Sequence, residues 1–594
     1  MNTDIENLFK DKVIGHPAGL FVIFFTEMWE RFSFYGMKIL LVLFLTAPFL
    51  SDNPGWEWSR ENALALIGTY SSLLYLTPIV GGWLADKITG YKWAVIIGCF
   101  IMMLGHAFMV FETTWSLYLG LALLVIGTGF FKPNMTSMIS EMYKGKESKK
   151  DGAYTIYYMG VNAGAFFGMM LCGYLAENIG WSYGFGLAGI FMLGGLIQFW
   201  LAKDLFGMIG EIPSKTHEVE LPQNINEENP KEHNENEIAI KLNPFTYLDK
   251  VLIVLSSIGG VLYLFNDPMS KIGNINLLDF KVGSLDGSNF IVLLALALFL
   301  YLIITRISRY NPIVRDKIIA VSIFGIFTVF FFAAFEQSLG SMTLFARDYT
   351  DRVLVGSSAM IFKVIDSILT VVPLVLISWV LYLLFKKTYS KIPYSNIVLG
   401  LTFVFLWYVV FYKINNEFNK ETTEVGASWF GILNSFFIIT LAPLFSKWWE
   451  SKYNPSVAMK YGIGLVLLGL GFGVLVFGTM GIESGAKTAS VSMVFLILAY
   501  LLHTMGELCI SPVGLSYLSK LVPGRMIGFM FGIWYLAIAI GNKAAGSMGG
   551  MIDKITAEYS LSTFFLIFTV IPAGFGIVSM LLNPLLKKLM HGVK

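Results

Sequence analysis

The chain has 594 residues, 56% of them hydrophobic and only 14% charged, with a formal net charge of +2 and a mean hydropathy of +0.67. No soluble globular domain has that balance; repeated apolar stretches of membrane-spanning length account for it. The charge gives no reason to expect a nucleic-acid partner, and three scattered cysteines and six histidines form neither a disulfide framework nor a metal-ligand pattern, so no cofactor is expected.

Met1 to Lys12 mixes acids, amides and lysine without a basic start and short apolar core, so no cleaved signal peptide is expected. Runs long enough to cross a bilayer as helices then fall near 18–48, 62–84, 92–111, 115–135, 154–176 and 182–203, giving a six-helix bundle over 1–203. Residues 204–248, rich in Glu, Asn, Lys and Pro, cannot bury a core and read as a flexible cytoplasmic loop. A helix pair near 249–265 and 288–306 forms an insertion over 249–315, and a long span near 316–345 occupies 316–354. A second inserted pair near 355–385 and 394–413, within 355–426, is expected to be peripheral and lipid-facing. Runs near 427–447, 459–479, 490–518, 526–548 and 561–586 complete a C-terminal bundle over 427–594. The expected fold class is an all-α polytopic membrane protein of about sixteen spans, two six-helix halves plus two extra helix pairs.

Lys and Arg alternate between the loops. One set contains Lys87, Lys92, Lys144, Lys146, Arg306, Arg309, Lys386, Lys387, Lys447, Lys520 and Lys587; the opposite set is poorer in cations and holds Asp52, Glu57, Glu61, Glu421 and Glu424. The asymmetry points to cytoplasmic N- and C-termini and an even number of spans. The short loops suit a bacterial inner membrane.

Several ionisable residues interrupt the apolar spans. Glu27, Glu30, Arg31 and Lys38 lie in the first, Lys132 in the fourth, Glu336 in the span near 316–345, and Glu507 near 490–518. A charge in hydrocarbon costs at least about 2.5 kcal/mol, so such residues face a bundle interior or aqueous cavity and mark a substrate or proton path. Glu27, Glu30, Arg31, Phe34 and Lys38 share one helical face, where Glu27 and Arg31 can pair. A purely structural ion pair would explain Glu27 and Arg31, but not two further charges. The acids lack a nucleophile–His arrangement or metal spacing, which argues against a membrane enzyme. There is no G-x-x-x-x-G-K-[ST] phosphate loop for an ATP-driven pump.

Gly82 to Lys92 resembles the G-x-x-x-D-[RK]-x-G-x-[RK] loop between the second and third helices of the major facilitator superfamily. Glu27-x-x-Glu30-Arg31-Phe32-x-Phe34-Tyr35-Gly36 resembles the E-x-x-E-R-F-x-Y-Y-G motif of the proton-dependent oligopeptide transporters, a branch of that superfamily. Tyr157 to Ala165, Gly127 to Asn134, Trp429 to Asn434, Gly506 to Pro512 and Gly532 to Tyr535 are similar to further motifs of that family, in order, across both halves.

The resemblance implies a proton-coupled symporter of di- and tripeptides with a major facilitator fold, no enzymatic activity, and protons, a small peptide and the lipid bilayer as its partners. A functional monomer is expected. Proton coupling would rest on Glu27, Glu30, Arg31, Lys132 and Glu336, with Lys132 and Glu336 pairing in one state of the transport cycle. Asn162, Asn434 and Glu507 match positions that receive a peptide's amino terminus. Arg31 and Lys132 match positions that attract its carboxylate. Tyr35, Lys38, Tyr75, Ser511 and Trp534 match further pocket positions. Read as residues alone, Asn162 and Asn434 could instead be interhelical hydrogen-bond glue, and Tyr75 and Trp534 ordinary packing. Three departures stand out: Phe34 where the family has tyrosine, Lys38 where it usually has arginine, and Phe335 where a second acid often precedes Glu336. Phe34 and Lys38 motivate an alternative cargo, another small zwitterion or an anion such as nitrate.

Overall fold

The protein is described by a computed structural model that covers residues 2–146, 149–212, 243–521 and 527–592. Most of the expected polar loop, 213–242, lies outside the described residues. Six long helices, α1 (Ala18–Thr46), α2 (Arg60–Leu84), α3 (Gly90–Met109), α4 (Thr114–Met142), α5 (Lys150–Asn178) and α6 (Trp181–Ala202), form one bundle. A hairpin of α7 (Tyr247–Gly273) and α8 (Gly287–Ile307) follows, then α9 (Pro312–Phe335). Next come a second hairpin, α10 (Gly356–Thr388) and α11 (Pro393–Phe418), and α12 (Ile432–Glu450). Helices α13 (Val457–Thr479), α14 (Met493–Leu521), α15 (Ile527–Gly550) and α16 (Leu561–Leu581) end the second bundle with α9 and α12. Among the described residues, thirteen segments are long and apolar enough to cross a membrane; one joins α2 to α3, and the charged α1 is not among them.

Local sequence sets the helix ends. Asn311 accepts the amide of Val314 at 2.9 Å, with Pro312 supplying a preset φ in the first turn. The Asp86 segment, read as a loop, is a π-helical turn over Ala85–Thr89; Asp86 accepts from the Tyr91 hydroxyl at 2.9 Å, and Gly90 takes φ +70°. The span near 316–345 is broken at its acid. The α-helix stops at Phe335, a 3-10 turn runs Glu336–Leu339, and a short helix, Ser341–Asp348, follows.

Close packing rests on glycine where helices touch. In lipid there is no hydrophobic drive between helices, so small residues that let backbones approach do the joining. Gly164 and Gly168 of α5 face the carbonyls of Met28 and Phe32 on α1, where an added Cβ would lie 2.2 Å from each oxygen. The two bundles meet along α2 with α15 and α5 with α12. At the first seam an added Cβ on Gly68 would sit 2.9 Å from Gly546 Cα.

The inserted pairs are docked asymmetrically. Helix α7 lies on α2, and Lys543 of α15 bonds Thr69 of α2 at 2.8 Å and pairs with Asp267 of α7, so α7 touches both bundles. The second pair differs from the expected peripheral one. Its outer face, with Ile365, Ile368, Leu376 and Trp379, is exposed and apolar, but its inner face packs on the first bundle. Phe403 meets Phe25 and Trp29 with ring centroids 5.5 and 5.3 Å away, and the Ser395 hydroxyl donates to the Gln198 carbonyl at 2.7 Å.

Gly168→Val should lower the melting temperature in detergent, since overpacking typically costs roughly 1–3 kcal/mol. Gly186→Ala is the control, because its Cβ would meet only Val110 Cγ2, at 3.7 Å; equal Tm values for both variants would contradict the close approach of α1 and α5.

Candidate functional site

Helix α1 runs through the middle of the first bundle and is buried almost throughout, so its polar face must be satisfied from within the protein. Arg31 Nε donates to Glu27 Oε1 at 2.7 Å and lies 2.9 Å from Glu30 Oε2, where the alignment is too poor for a hydrogen bond. Both acids are 1% exposed, and neither Glu30 oxygen has a hydrogen-bond partner among the described residues. One turn on, the Phe34 ring lies between two cations, with Arg31 Cζ 5.6 Å and Lys38 Nζ 5.7 Å from its centroid. Both distances suit cation–π attraction.

Lys38 reaches out of its own bundle. Its ammonium donates to Glu336 Oε2 at 2.8 Å, and Glu336 stands where α9 breaks. The cleft around the pair is lined by Gly68 and Ser71 of α2 and by Gln337, Asn542 and Gly546 of the second bundle. Glu336 is therefore held by Lys38 here, and the expected Lys132–Glu336 pair is not formed in this conformation. Lys132 lies instead with its ammonium 4.2 Å from the Tyr75 ring centroid, and Tyr75 in turn lies 6.3 Å from Tyr535 across the two bundles.

An acid–amide pair forms on the other side. Asn434 of α12 donates to Glu507 of α14 at 2.8 Å and lies 3.2 Å from the Thr504 hydroxyl. Tyr35 of α1 lies within electrostatic reach of Arg31, Glu336 and Glu507, and Tyr158 of α5, 40% exposed, is also near Glu507. Asn162 donates back to the Tyr158 carbonyl at 2.9 Å, which anchors that turn of α5. Ser511 is partly exposed on α14. Trp534 is 3% exposed and meets Tyr461 edge to face, so in this conformation it packs inside the second bundle. The site thus has cations and carboxylates on α1 and α4, and an acid–amide pair on α12 and α14, with tyrosines between them.

The model of the POT family, the proton-dependent oligopeptide transporters, matches residues 92–221 and 406–566. The peptide transporter YePEPT of Yersinia enterocolitica is 30% identical over 545 residues, spanning 91% of this chain and 88% of that protein. The chain belongs to the POT family. A di-/tripeptide transporter of Lactococcus lactis subsp. cremoris is 25% identical over 597 residues, covering 99% of this chain and all of that one. The dipeptide and tripeptide permease A of Escherichia coli is 25% identical over 95% of this chain and 91% of that protein. Among solved structures, a peptide transporter POT in complex with sulfate matches with a TM-score of 0.68 and 25% identity over 99% of both chains. POT membership makes the chain a polytopic membrane transporter of major facilitator fold and not an enzyme.

Residues that sequence reasoning did not single out close one end of the POT bundle pair. Arg60 at the start of α2 bonds Asp348 at 2.8 Å and Asp553 at 2.6 Å, and Arg347 donates to the Thr46 hydroxyl at 2.8 Å. Lys543 and Asp267 were also missed. Asp348 and Asp553 sit at helix ends, where a charge looks like an ordinary loop residue. Lys543, inside an apolar run, carried the same signal as Lys132 and could have been found.

Breaking a buried ion pair by removing one partner costs about 3–5 kcal/mol, because the other charge stays behind unpaired. Lys38→Ala and Glu336→Ala should each destabilise this closed conformation, and the double variant should lose much less than the sum. Thermal unfolding of the four proteins measures the coupling; additive losses would show that the two residues do not depend on each other.

Proposed function

We propose that this chain is a proton-coupled symporter that imports di- and tripeptides by alternating access between residues 1–203 and the bundle of residues 316–354 and 427–594. The observation that carries the reading is the division of charge in the site: Arg31, Lys38 and Lys132 on one half, the Asn434–Glu507 pair on the other. A short peptide is a zwitterion whose ends need opposite partners a few ångströms apart. Arg31 and Lys132 suit the carboxylate, while Glu507, with Asn434 and Asn162, suits the ammonium group. Tyr35, Tyr75, Ser511 and Trp534 would shape the space between, and the relatives named for di- and tripeptides support that substrate class.

Glu27, Glu30 and Arg31 couple the proton in this reading. Arg31 cannot give up its charge, so a proton arriving at Glu30 changes the balance of the cluster from two anions and one cation to one of each. That frees Arg31 to engage a carboxylate. Lys38 and Glu336 form the pair between the halves in the present state, and Lys132 is the cation that can reach the same acid when the halves rock. The cation-rich loops support an orientation with both termini in the cytoplasm of a bacterial inner membrane. The end closed by Arg60, Asp348 and Asp553 is then the outer end. Both halves lie in one chain, so a single copy suffices.

In proteoliposomes, an acidic exterior should accelerate dialanine uptake. Glu30→Gln should lose concentrative uptake while keeping counterflow; gradient-driven uptake unchanged from wild type would remove Glu30 from coupling. Competition by unlabelled dipeptides, amino acids and nitrate reads the cargo directly, and displacement by nitrate alone would overturn the peptide assignment.

Recognition of the amino terminus is tested separately. Glu507→Ala should reduce uptake of a free dipeptide by about tenfold or more, the size expected for one charge-assisted contact, and leave the N-acetylated peptide much less affected. Equal loss for both would move Glu507 from binding to folding or gating.

A further inference from the structure

Helices α10 and α11 lie in the sequence between α9 and α12, yet they pack on the other half. Besides the Phe403 contacts, Thr370 donates to Met170 Sδ at 3.0 Å, Asn416 to the Tyr174 hydroxyl at 2.7 Å, and Lys420 to Asn178 Oδ1 at 2.7 Å. Their chain ends stay with the second half through a short ribbon. Val353–Leu354 pairs antiparallel with Thr423–Glu424, and Thr350–Asp351 pairs parallel with Val491–Ser492 just before α14.

Two carboxylates outside the second bundle grip the turn that leads into α12. Asp366 of α10 is 6% exposed and forms a buried ion pair with Lys413 of α11, and its Oδ1 accepts the Trp429 indole N–H at 2.9 Å. Glu177 of α5 accepts the amides of Ala427 and Ser428 at 2.8 and 3.0 Å. Those three donors belong to the 3-10 turn Ala427–Gly431 that leads into α12. The fit is tight: a Cβ on Gly173 would lie 2.0 Å from Ser428 Oγ. The other charges nearby have partners of their own, Lys363 on the Lys420 carbonyl, Lys420 on Glu417, and Arg352 on Glu424.

We infer that the α10–α11 pair moves as part of the N-terminal half and, with Glu177, straps the 427–431 turn that leads into α12, so that the end closed in this structure opens only when Trp429, Ala427 and Ser428 leave Asp366 and Glu177. If the pair followed the C-terminal half, it would lose the aromatic packing on α1 and the hydrogen bonds to α5 and α6. If it follows the N-terminal half, the three hydrogen bonds on the 427–431 turn and the edge-to-face contact of Phe362 with Trp429 (ring centroids 5.2 Å apart) break, and the ribbon serves as the hinge. Release on that route leaves no buried charge alone. Asp366 keeps Lys413, and Glu177, partly exposed near the helix end, is taken up by water. The strap rests on the alternating-access reading, but not on the identity of the cargo.

The test uses the full chain in liposomes, spin-labelled in pairs at Thr114→Cys (first half), Glu421→Cys (strap) and Lys487→Cys (second half), all exposed positions. As the closed end opens, the 114–487 and 421–487 distances should lengthen together while 114–421 stays fixed. Trp429→Phe removes the indole donor and trims the ring that meets Phe362, and Glu177→Gln removes the charge and replaces one accepting oxygen with an NH2 group. Each should raise the open-to-closed ratio by about tenfold, the effect of losing one hydrogen bond to a charged group. A label at Glu421→Cys that tracks Lys487→Cys overturns the strap, as does an unchanged ratio in both variants or no lengthening in any. Loss of dialanine uptake in the labelled wild type, with the distances still moving as described, would remove the peptide assignment and leave the strap standing.

Discussion

A charge buried in a membrane protein must find a partner, and here the partners determine which helices can be neighbours. Arg31 is held by acids of its own helix, which lets α1 pass through the centre of its bundle with a polar face. Several other cations find acids on other segments. Lys38 pairs with Glu336, Lys543 with Asp267 and Lys413 with Asp366, while Arg306 and Arg309 converge on Asp249. Each pair ties together two segments that are far apart in sequence, so a small set of charges does much of the work of specifying topology in a chain whose apolar surfaces are interchangeable.

The seams between the halves divide their labour. Along α2 and α15 the contact is backbone on backbone, through Gly68 and Gly546, and polar atoms finish it: Ser72 donates to the Ala539 carbonyl at 2.6 Å, and Arg60 closes the end. Along α5 and α12 the contact is a carboxylate on backbone amides. Both seams carry polar contacts that water can replace. Hydrogen bonds and exposed-end ion pairs exchange with water at small net cost, so such seams can open and reclose.

The first bundle was legible in the sequence because helix length and apolar content are written locally, and α1 through α6 begin and end within four residues of the expected bounds, except that α4 runs on to Met142 rather than ending near 135. The charged face of α1 followed from spacing alone. What escaped was non-local. Lys38 and Lys132 both had the charge to meet Glu336, and only the backbone path of α9, broken at Glu336, gives the acid to Lys38 in this state. The second inserted pair had the composition of lipid-facing helices because one face of it is just that. Its docking face is largely uncharged, with Phe403, Thr370 and Ser395 in the spans and Lys420 only beyond the end of α11. The conformation of single side chains was not legible either: Asn162 bonds its own helix here, and Trp534 packs against Tyr461.

The two departures in α1 act on one contact. Arginine at position 38 could grip Glu336 with two parallel hydrogen bonds, and it sheds water more readily than an ammonium group. Lysine makes a single bond and is drawn more strongly back to water, so the pair across the halves holds less firmly. Phe34 answers part of that loss. Its ring lies between Arg31 and Lys38, and the attraction of each cation to the π face steadies Lys38 without consuming the lone pairs of Glu336. A tyrosine there would add a hydroxyl that needs a partner in a region already crowded with charge. The combination gives a weaker pair held in a better-defined position. Under the proposed alternating access that suits a contact between the halves, because a pair that held much more tightly would raise the free-energy cost of every opening.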